Sequence, residues 1–192
     1  YFNPNFWVNT PDINPYHLQD ANEPMHLIRY ALASTLSSNT GVYGPVFEQM
    51  HSQAVVGKEE YLNSEKYEIK HWDWEVENKI TYLITKINHI RKAQPALQQT
   101  NLIEFCGIEN EKLLSYVKWN QERDNHVLIV VNLDAYYTQK GMVRLPYEAL
   151  NIKPGQQLSL TDLITDDHYD WYDEWNYVEL NPTLPFHIFK IT

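Results

Sequence analysis

The sequence predicts a fold of α/β plus all-β class, with two β/α units followed by an antiparallel β-sandwich. Up to residue 99, short apolar runs alternate with two segments whose apolar residues recur at helical spacing. Beyond residue 99, six apolar or alternating runs are separated by turn-forming residues. With 43% apolar and 21% charged residues in 192 positions, the chain has the composition of a folded globular protein. We therefore divide it into residues 1–99 and 100–192.

The first β/α unit begins with the apolar run Phe6–Val8, which predicts a short strand. Asn22 is a suitable N-cap for a following helix, because Glu23 and Pro24 are both favoured in a first helical turn. We expect this helix to end near Ser37.

The second unit begins with Thr40–Gly44, which predicts a second short strand. Residues 46–74 then predict a loop that is too long for a simple connection, which suggests a functional role. A second amphipathic helix presents apolar residues between Ile80 and Ile90 and is stopped by Pro95. Two such units cannot cover both faces of a parallel sheet, and the chain begins at Tyr1 without methionine, so we expect a part of a larger protein.

The second half predicts strands that are separated by turns. The runs lie at Leu113–Trp119, His126–Leu133, Met142–Leu145, Gln157–Leu160, Tyr177–Leu180 and Phe186–Ile191. The acidic segment from Asp166 to Glu174 lacks the spacing of a calcium-binding loop, and no second cluster completes His71–Glu75. We interpret both segments as solvated loops and expect no metal site. Cys106, which has no activating cation beside it in sequence, is interpreted as structural.

Charge and composition exclude several function classes. A net charge of −10 argues against a nucleic-acid partner, which needs clustered lysine and arginine. No apolar stretch reaches the roughly 18 residues of a membrane span. The single cysteine cannot form an internal disulfide and is typical of the reducing cytoplasm. Since the sequence contains no glycine-rich phosphate loop, nucleophile elbow or paired-cysteine motif, we expect no cofactor.

Two positions have the chemistry of a sugar-processing site. Asp12 follows the first predicted strand in a turn that contains Pro11, where it could hold sugar hydroxyls or merely cap the turn. Lys66 and Tyr67 could bind a phosphate through an ammonium and a hydroxyl group, although such residues in a loop are usually only solvated. Spacing alone leaves both interpretations open.

Longer motifs give these positions a context. The segment Phe6–Ile13 reads Phe-Trp-Val-Asn-Thr-Pro-Asp-Ile, with Asn-Thr-Pro-Asp where most α-amylase relatives carry Asn-His-Asp. Further matches occur at Gly41–Gly44, at Ser64–Tyr67 (Ser-Glu-Lys-Tyr) and at Val130–Asp134. The sequence thus resembles, over nearly its whole length, the C-terminal part of the α-1,4-glucan:maltose-1-phosphate maltosyltransferases of the α-amylase superfamily.

This resemblance implies a fold and an activity. The chain would contain the last two β/α units of a TIM (β/α)8 barrel and a C-terminal sandwich. The full-length enzyme, expected to be a homodimer, would transfer maltosyl units from maltose 1-phosphate to the non-reducing end of an α-1,4-glucan. The reaction would retain configuration through a covalent glycosyl-enzyme intermediate and release phosphate.

The resemblance also implies roles for individual residues. Asp12 matches the carboxylate that stabilises the transition state, and Lys66 and Tyr67 match the pair that contacts the donor. Asn9 is interpreted as structural. Nothing in the chain matches the nucleophile or the general acid/base, so we expect the chain to be inactive by itself.

Two alternatives remain open. One is an α-amylase-type hydrolase or branching enzyme that acts on starch or glycogen without phosphate. The other is a non-catalytic glucan-binding module that uses Trp171, Tyr172 and Trp175. If residues 1–99 are part of a barrel, they should expose apolar surface that normally packs on the rest of that barrel. We therefore expect the chain to self-associate or to have lowered solubility.

Overall fold

The computed structural model describes residues 3–192, so that residues 1 and 2 of the first predicted part lie outside the described range. Strand β1 (Asn5–Trp7) leads through a loop to helix α1 (Glu23–Leu36), and strand β2 (Asn39–Gly41) follows directly. The two strands pair in parallel, with Asn5 opposite Asn39 and Trp7 opposite Gly41. The first predicted β/α unit is therefore present, with its strand one residue earlier than expected.

Helix α1 begins where the sequence predicts, for the expected physical reason. The side chain of Asn22 accepts a hydrogen bond from the amide of Met25 (3.1 Å), which satisfies one of the free N–H groups of the first turn. Glu23 and Pro24 occupy that turn, and Ser37 ends the helix in extended backbone.

The predicted strand Thr40–Gly44 is wrong beyond Gly41. After β2 the chain turns into a short helix α2 (Gly44–Glu48) with Pro45 in its first turn, and the Tyr43 backbone bonds to a side chain instead of a strand. Gly41 is required for close packing, because a Cβ atom there would lie 2.6 Å from the Trp7 indole ring. The predicted loop 46–74 is wrong at residues 46–48, which belong to α2, because Pro45 favours a first helical turn there. Residues 49–74 contain a single β-bridge, between Ala54 and Tyr61, and otherwise have the predicted loop structure.

Helix α3 (Lys79–Ala93) confirms the second amphipathic segment. A reciprocal capping box joins Asn78 and Thr81 at its start, and Pro95 opens a 3-10 turn just beyond its end. Its buried face consists of Ile80, Leu83, Ile87 and Ile90. These residues pack into the same apolar core as α1.

The second half forms two antiparallel sheets, as the pattern predicts. The larger sheet has the order β3-β5-β6-β11-β8-β9 and the smaller has the order β10-β7-β4. A short helix α4 (Tyr147–Leu150) lies between β7 and β8. The strands are β3 (Ile103–Phe105), β4 (Gly107–Ile108), β5 (Leu113–Trp119), β6 (His126–Asn132), β7 (Gln139–Arg144), β8 (Leu158–Asp162), β9 (His168–Trp171), β10 (Trp175–Leu180) and β11 (Phe186–Ile191). Side chains from both sheets, including Val130 and Val178, share one apolar cluster.

One predicted loop is a strand. The acidic segment that begins at Asp166 contains β9, which pairs antiparallel with β8 at the edge of the larger sheet. Its polar residues are exposed and only Trp171 is buried, so the burial that stabilises the strand leaves little trace in the apolar pattern. The segment His71–Glu75, in contrast, has no regular structure, as expected. Among residues 3–192 no group of three or more His, Cys, Asp or Glu side chains is arranged to hold a metal ion.

A single apolar core joins the two parts of the chain. It combines residues of α1 and α3 with Tyr116, Ile129 and Ile188 from the larger sheet. Tyr116 shares a 2.5 Å hydrogen bond with the hydroxyl of Thr35 on α1. The predicted boundary at residues 99 and 100 stays a prediction, because this core extends to both sides of it.

No helix within residues 3–192 combines the length and apolar character needed to cross a membrane.

The C-terminal end of α1 is held by two basic side chains. Lys118, fully buried on β5, donates to the carbonyl groups of Thr35 (2.8 Å) and Leu36 (3.3 Å). Arg91 on α3 donates to the carbonyl of Ser38 (2.9 Å). Burial, and then the nearby Arg91 charge, lower the pKa of Lys118 to about 7. Unpaired carbonyl groups at a helix end are thereby satisfied inside the core.

Candidate functional site

Asp12 lies in a tight turn just beyond the C-terminal end of β1. Backbone hydrogen bonds in both directions between Thr10 and Ile13 (3.2 and 3.3 Å) close this turn, and the Thr10 hydroxyl accepts a further bond from the Ile13 amide. The carboxylate of Asp12 stands at the outside of the turn, with 70% of its side chain exposed. Its position relative to the strand is therefore the one expected from the sequence.

Lys66 and Tyr67 lie in a second turn, beyond the β-bridge at Tyr61. Asn63 has left-handed backbone (φ 54°) and redirects the chain, and the Ser64 carbonyl accepts hydrogen bonds from the amides of Tyr67 (2.9 Å) and Glu68 (3.0 Å). Both candidate side chains are exposed. They can therefore meet a ligand without a change in the fold.

The fold brings all three candidate residues together. The Lys66 ammonium lies 3.7 Å from a carboxylate oxygen of Asp12 and 5.5 Å from the centre of the Tyr67 ring. Tyr67 and then Asp12 raise the pKa of Lys66, so the ammonium keeps its charge. Because this ion pair is exposed, it contributes little to stability and a charged ligand can rearrange it.

These side chains line one open cleft of about 340 Å³. Its walls combine three carboxylates, from Asp12, Glu60 and Glu68, with the Lys66 ammonium, two tyrosine rings and apolar side chains. Groups of this kind can bind hydroxyl groups, and the ammonium can bind an anion. The lining residues are Pro11, Asp12, Ile13, Val55, Glu60, Tyr61, Leu62, Asn63, Ser64, Lys66, Tyr67 and Glu68.

Hydrogen bonds between two loops hold the walls of the cleft together. The amide of Asn14 donates to the carbonyl of Glu59 (3.1 Å), and the amide of Tyr16 donates to the Glu59 carboxylate (3.1 Å). Gln19 donates to the carbonyl of Lys58 (2.9 Å). The loop that carries Asp12 is thus fixed to the hairpin that precedes Lys66.

Sequence reasoning missed a second group of residues beside this cleft. Trp72 is half-buried, meets the His51 ring edge-on at 4.8 Å and donates its indole N–H to Glu65 (2.9 Å). These three side chains line an adjacent cleft together with Tyr43 and Lys70. The alternation of polar and aromatic residues from His71 to Trp74 is the signal that could have indicated it.

The aromatic residues considered for a glucan-binding module do not form one surface. Trp171 is 8% exposed and packs against Phe189 at 5.9 Å between ring centres, so it belongs to the core. Tyr172 (54%) and Trp175 (40%) are exposed. Cys106 is buried, as expected for a structural cysteine, and burial raises the pKa of its thiol to about 11.

Comparison with known proteins identifies relatives over the whole chain. A maltosyltransferase of Methylacidiphilum infernorum, named α-1,4-glucan:maltose-1-phosphate maltosyltransferase, is 45% identical over 194 residues that include all of this chain. The chain is a relative of the maltosyltransferases. A second protein of this name, from Chlorobaculum tepidum, is 45% identical over 198 residues. Residues 105–191 match the family model described as GLGE, C-terminal. The resemblance predicted from the motifs is thus confirmed.

The match covers only part of each maltosyltransferase. The chain spans 29% of the length of the M. infernorum protein and 30% of that from C. tepidum. Solved α-amylases share the fold: a structure from Anoxybacillus (TM-score 0.69, 13% identity) and one from Geobacillus thermoleovorans (TM-score 0.67, 17% identity) each match 98% of this chain and 38% of their own. At these identities the likeness concerns the fold alone.

Proposed function

We propose that this chain forms the C-terminal part of a retaining α-1,4-glucan:maltose-1-phosphate maltosyltransferase. One observation carries the proposal: Asp12 and Lys66, which belong to two separate motifs of the resemblance, are in ion-pair contact at 3.7 Å in one cleft. The relatives that cover the whole chain bear this name, which further supports the proposal.

Each residue of the cleft has a role in this proposal. The Asp12 carboxylate holds sugar hydroxyls while positive charge develops at the neighbouring anomeric carbon. The Lys66 ammonium and the Tyr67 hydroxyl bind the donor. Lys66 moves from Asp12 to the donor phosphate when the donor enters, because the more highly charged anion is the stronger partner.

The reaction consists of two displacements at one carbon. A carboxylate nucleophile forms a bond to the anomeric carbon as the bond to phosphate breaks, and a second carboxyl group protonates the departing phosphate. The acceptor hydroxyl then displaces the nucleophile and gives its proton to that second group. We assign both groups to parts of the enzyme outside this chain, and we therefore expect the chain to be inactive alone.

The architecture is part of the proposal. We take β1, α1, β2 and α3 as the last two units of a TIM (β/α)8 barrel, with residues 1–99 in the barrel and 100–192 in the C-terminal domain. The parallel pairing of β1 and β2 and the α-amylase likeness support this assignment. We further propose a cytoplasmic location, in line with a sequence whose one cysteine cannot form an internal disulfide, and a homodimer, which the family resemblance implies.

Phosphate release tests the proposal directly. The full-length enzyme, given maltose 1-phosphate and a short maltooligosaccharide, should release phosphate and form chains longer by two glucose units. New reducing ends from starch without phosphate would instead establish the hydrolase alternative and overturn the proposal.

The variant Asp12→Asn tests the role of the carboxylate. We expect kcat to fall by about 100-fold or more, since the loss of one group that stabilises transition-state charge typically has this effect. Asp166→Asn is the matched control, because Asp166 is also exposed and pairs with a lysine, Lys86, at 3.5 Å. Equal activity of the two variants would exclude Asp12 from the reaction.

A further inference from the structure

The side chain of Asn9 prolongs the pairing of β1 and β2. After the Val8 amide donates to the Gly41 carbonyl (3.1 Å), the next contact between the two segments is made by a side chain. The Asn9 amide oxygen accepts from the Tyr43 backbone N–H (2.8 Å), and its amide nitrogen donates to the Tyr43 carbonyl (3.2 Å). Asn9 is 1% exposed. It therefore fixes the path of both loops where the strands end.

The Asn9 side chain makes a third hydrogen bond, through the same amide nitrogen. It donates to the hydroxyl of Tyr61 at 2.8 Å, in a buried bond between two side chains. Tyr61, 8% exposed, is the residue that pairs with Ala54 in the β-bridge. This β-bridge is the last regular secondary structure before the turn that carries Lys66. Asn9 thus stands three residues before Asp12 and touches the hairpin that leads to Lys66.

We propose that the Asn9–Tyr61 hydrogen bond is a positioning contact, which sets the Asp12 carboxylate against Lys66 and Tyr67. The inference rests on the proposed function, because it concerns how the residues that carry that function are aligned. Neither Asn9 nor Tyr61 needs to be a catalytic residue. Tyr61 lines the cleft, but its hydroxyl is engaged with Asn9 behind the cleft wall.

The exposed groups at the cleft cannot supply this alignment themselves. The Asp12–Lys66 pair is open to water, where ion pairs constrain geometry weakly. The bonds from Asn14 and Gln19 reach the hairpin at Glu59 and Lys58, on the far side of Tyr61 from the Lys66 turn. The bond to Tyr61 is buried, and it joins the residue directly before the Asp12 turn to a hairpin residue closer to the Lys66 turn than Glu59 or Lys58. We therefore expect it to restrain the distance between the two turns.

The variant Tyr61→Phe, made in the full-length enzyme, tests this inference. It removes one hydroxyl and leaves Asn9 bonded to Tyr43. Tyr30→Phe is the matched control, since Tyr30 is equally buried (3% exposed) and its hydroxyl bonds to Asn88 at 2.9 Å, between α1 and α3. Both variants lose one tyrosine–asparagine hydrogen bond, which is buried for Tyr61 and partly buried for Tyr30.

We expect kcat/KM for maltose 1-phosphate to fall about tenfold or more in Tyr61→Phe and to change little in Tyr30→Phe, since small displacements of reacting groups are costly. The KM for the donor should rise while the KM for the acceptor stays constant. Equal kcat/KM for the two variants would overturn the inference, whether or not their Tm values differ.

Amide hydrogen exchange keeps this test independent of the reaction. In Tyr61→Phe, exchange in residues 62–68 should accelerate relative to the wild type and Tyr30→Phe. A wild type that releases no phosphate would refute the proposed function, whereas unchanged exchange in residues 62–68 would refute the positioning contact.

Discussion

Lys118 and Lys66 illustrate how the surroundings of one residue type determine its use. Lys66 is exposed beside a carboxylate, and its pKa is raised. Lys118 is buried at the end of α1, where burial lowers its pKa to about 7. The first lysine keeps its charge and is available for an anionic ligand. The second changes its charge near neutral pH and acts on stability.

The stability of the chain should therefore depend on pH through Lys118. The unfolded chain keeps this proton up to a pKa of about 10.5 and the folded chain only up to about 7, so the unfolded state binds more protons between these values. The free energy of unfolding should rise with pH across this window, by up to about 1.4 kcal/mol per pH unit. Urea unfolding from pH 7 to 9 measures this slope.

Substitutions identify the lysine responsible. Lys118→Met should flatten the rise of stability with pH, because the titrating group is gone. Lys92→Met, which changes an exposed lysine on α3, should leave the rise unchanged. A slope that persists in Lys118→Met would assign it to another group.

Sequence reasoning found the candidate residues but could not find their arrangement. Asp12 and Lys66 were identified because their motifs resemble a known family, whereas the 3.7 Å contact between them depends on how two long loops pack. Asn9 was interpreted as structural, and its bond to Tyr61 was missed. A side-chain amide that bonds across a large sequence separation leaves no periodic pattern.

At the scale of secondary structure, the N-cap residue Asn78 determines where helix α3 begins. Asn78 accepts from the Thr81 amide (2.9 Å), and its own side chain also donates to the Glu48 carbonyl (2.8 Å) at the end of α2. Asn78→Ala should lower the free energy of unfolding by about 2 kcal/mol, since both a cap and a second hydrogen bond are lost. Urea unfolding at constant pH measures the loss.

The variant Asn78→Asp separates the two contributions. Aspartate keeps the cap on Thr81 but cannot donate to the Glu48 carbonyl, so we expect about half of the loss seen with alanine. If the two variants lose the same stability, the cap contributes nothing and the contact with α2 accounts for the whole effect.

The helices were easier to predict than the edge strands, for physical reasons. Helices α1 and α3 have capping residues and a long apolar face, and both signals lie within a short stretch of sequence. Strand β9 has one buried residue, Trp171, and β4 has two residues in all. Such strands depend on hydrogen bonds to a neighbour that is already formed, which the local sequence does not encode.

At the scale of the whole molecule, we expect the small parallel sheet of β1 and β2 to govern association. Within residues 3–192, β1 and β2 pair only with each other, and Phe6 (37%) and Trp7 (51%) are exposed. We expect the isolated chain to self-associate, because open strand edges and apolar side chains promote pairing. Sedimentation velocity at several concentrations measures this, and a monomer at every concentration would contradict it.

Two tryptophan variants locate the surface involved. Trp7→Ser should weaken self-association, since it removes the largest exposed ring of β1. Trp74→Ser serves as the control, because Trp74 is still more exposed (76%) but lies in the loop before α3. Equal weakening by both variants would indicate non-specific association through any exposed ring.

The core that joins α1 and α3 to the larger sheet limits how this protein can be recombined. Tyr116 and Lys118, both on β5, form hydrogen bonds with Thr35 near the end of α1. The interface between the helices and the larger sheet therefore contains polar contacts that require particular side chains. A chimera that takes its sheets from a distant relative and its helices from this chain would leave buried donors without acceptors. Exchange of the C-terminal part therefore requires that the facing surfaces of both helices be exchanged with it.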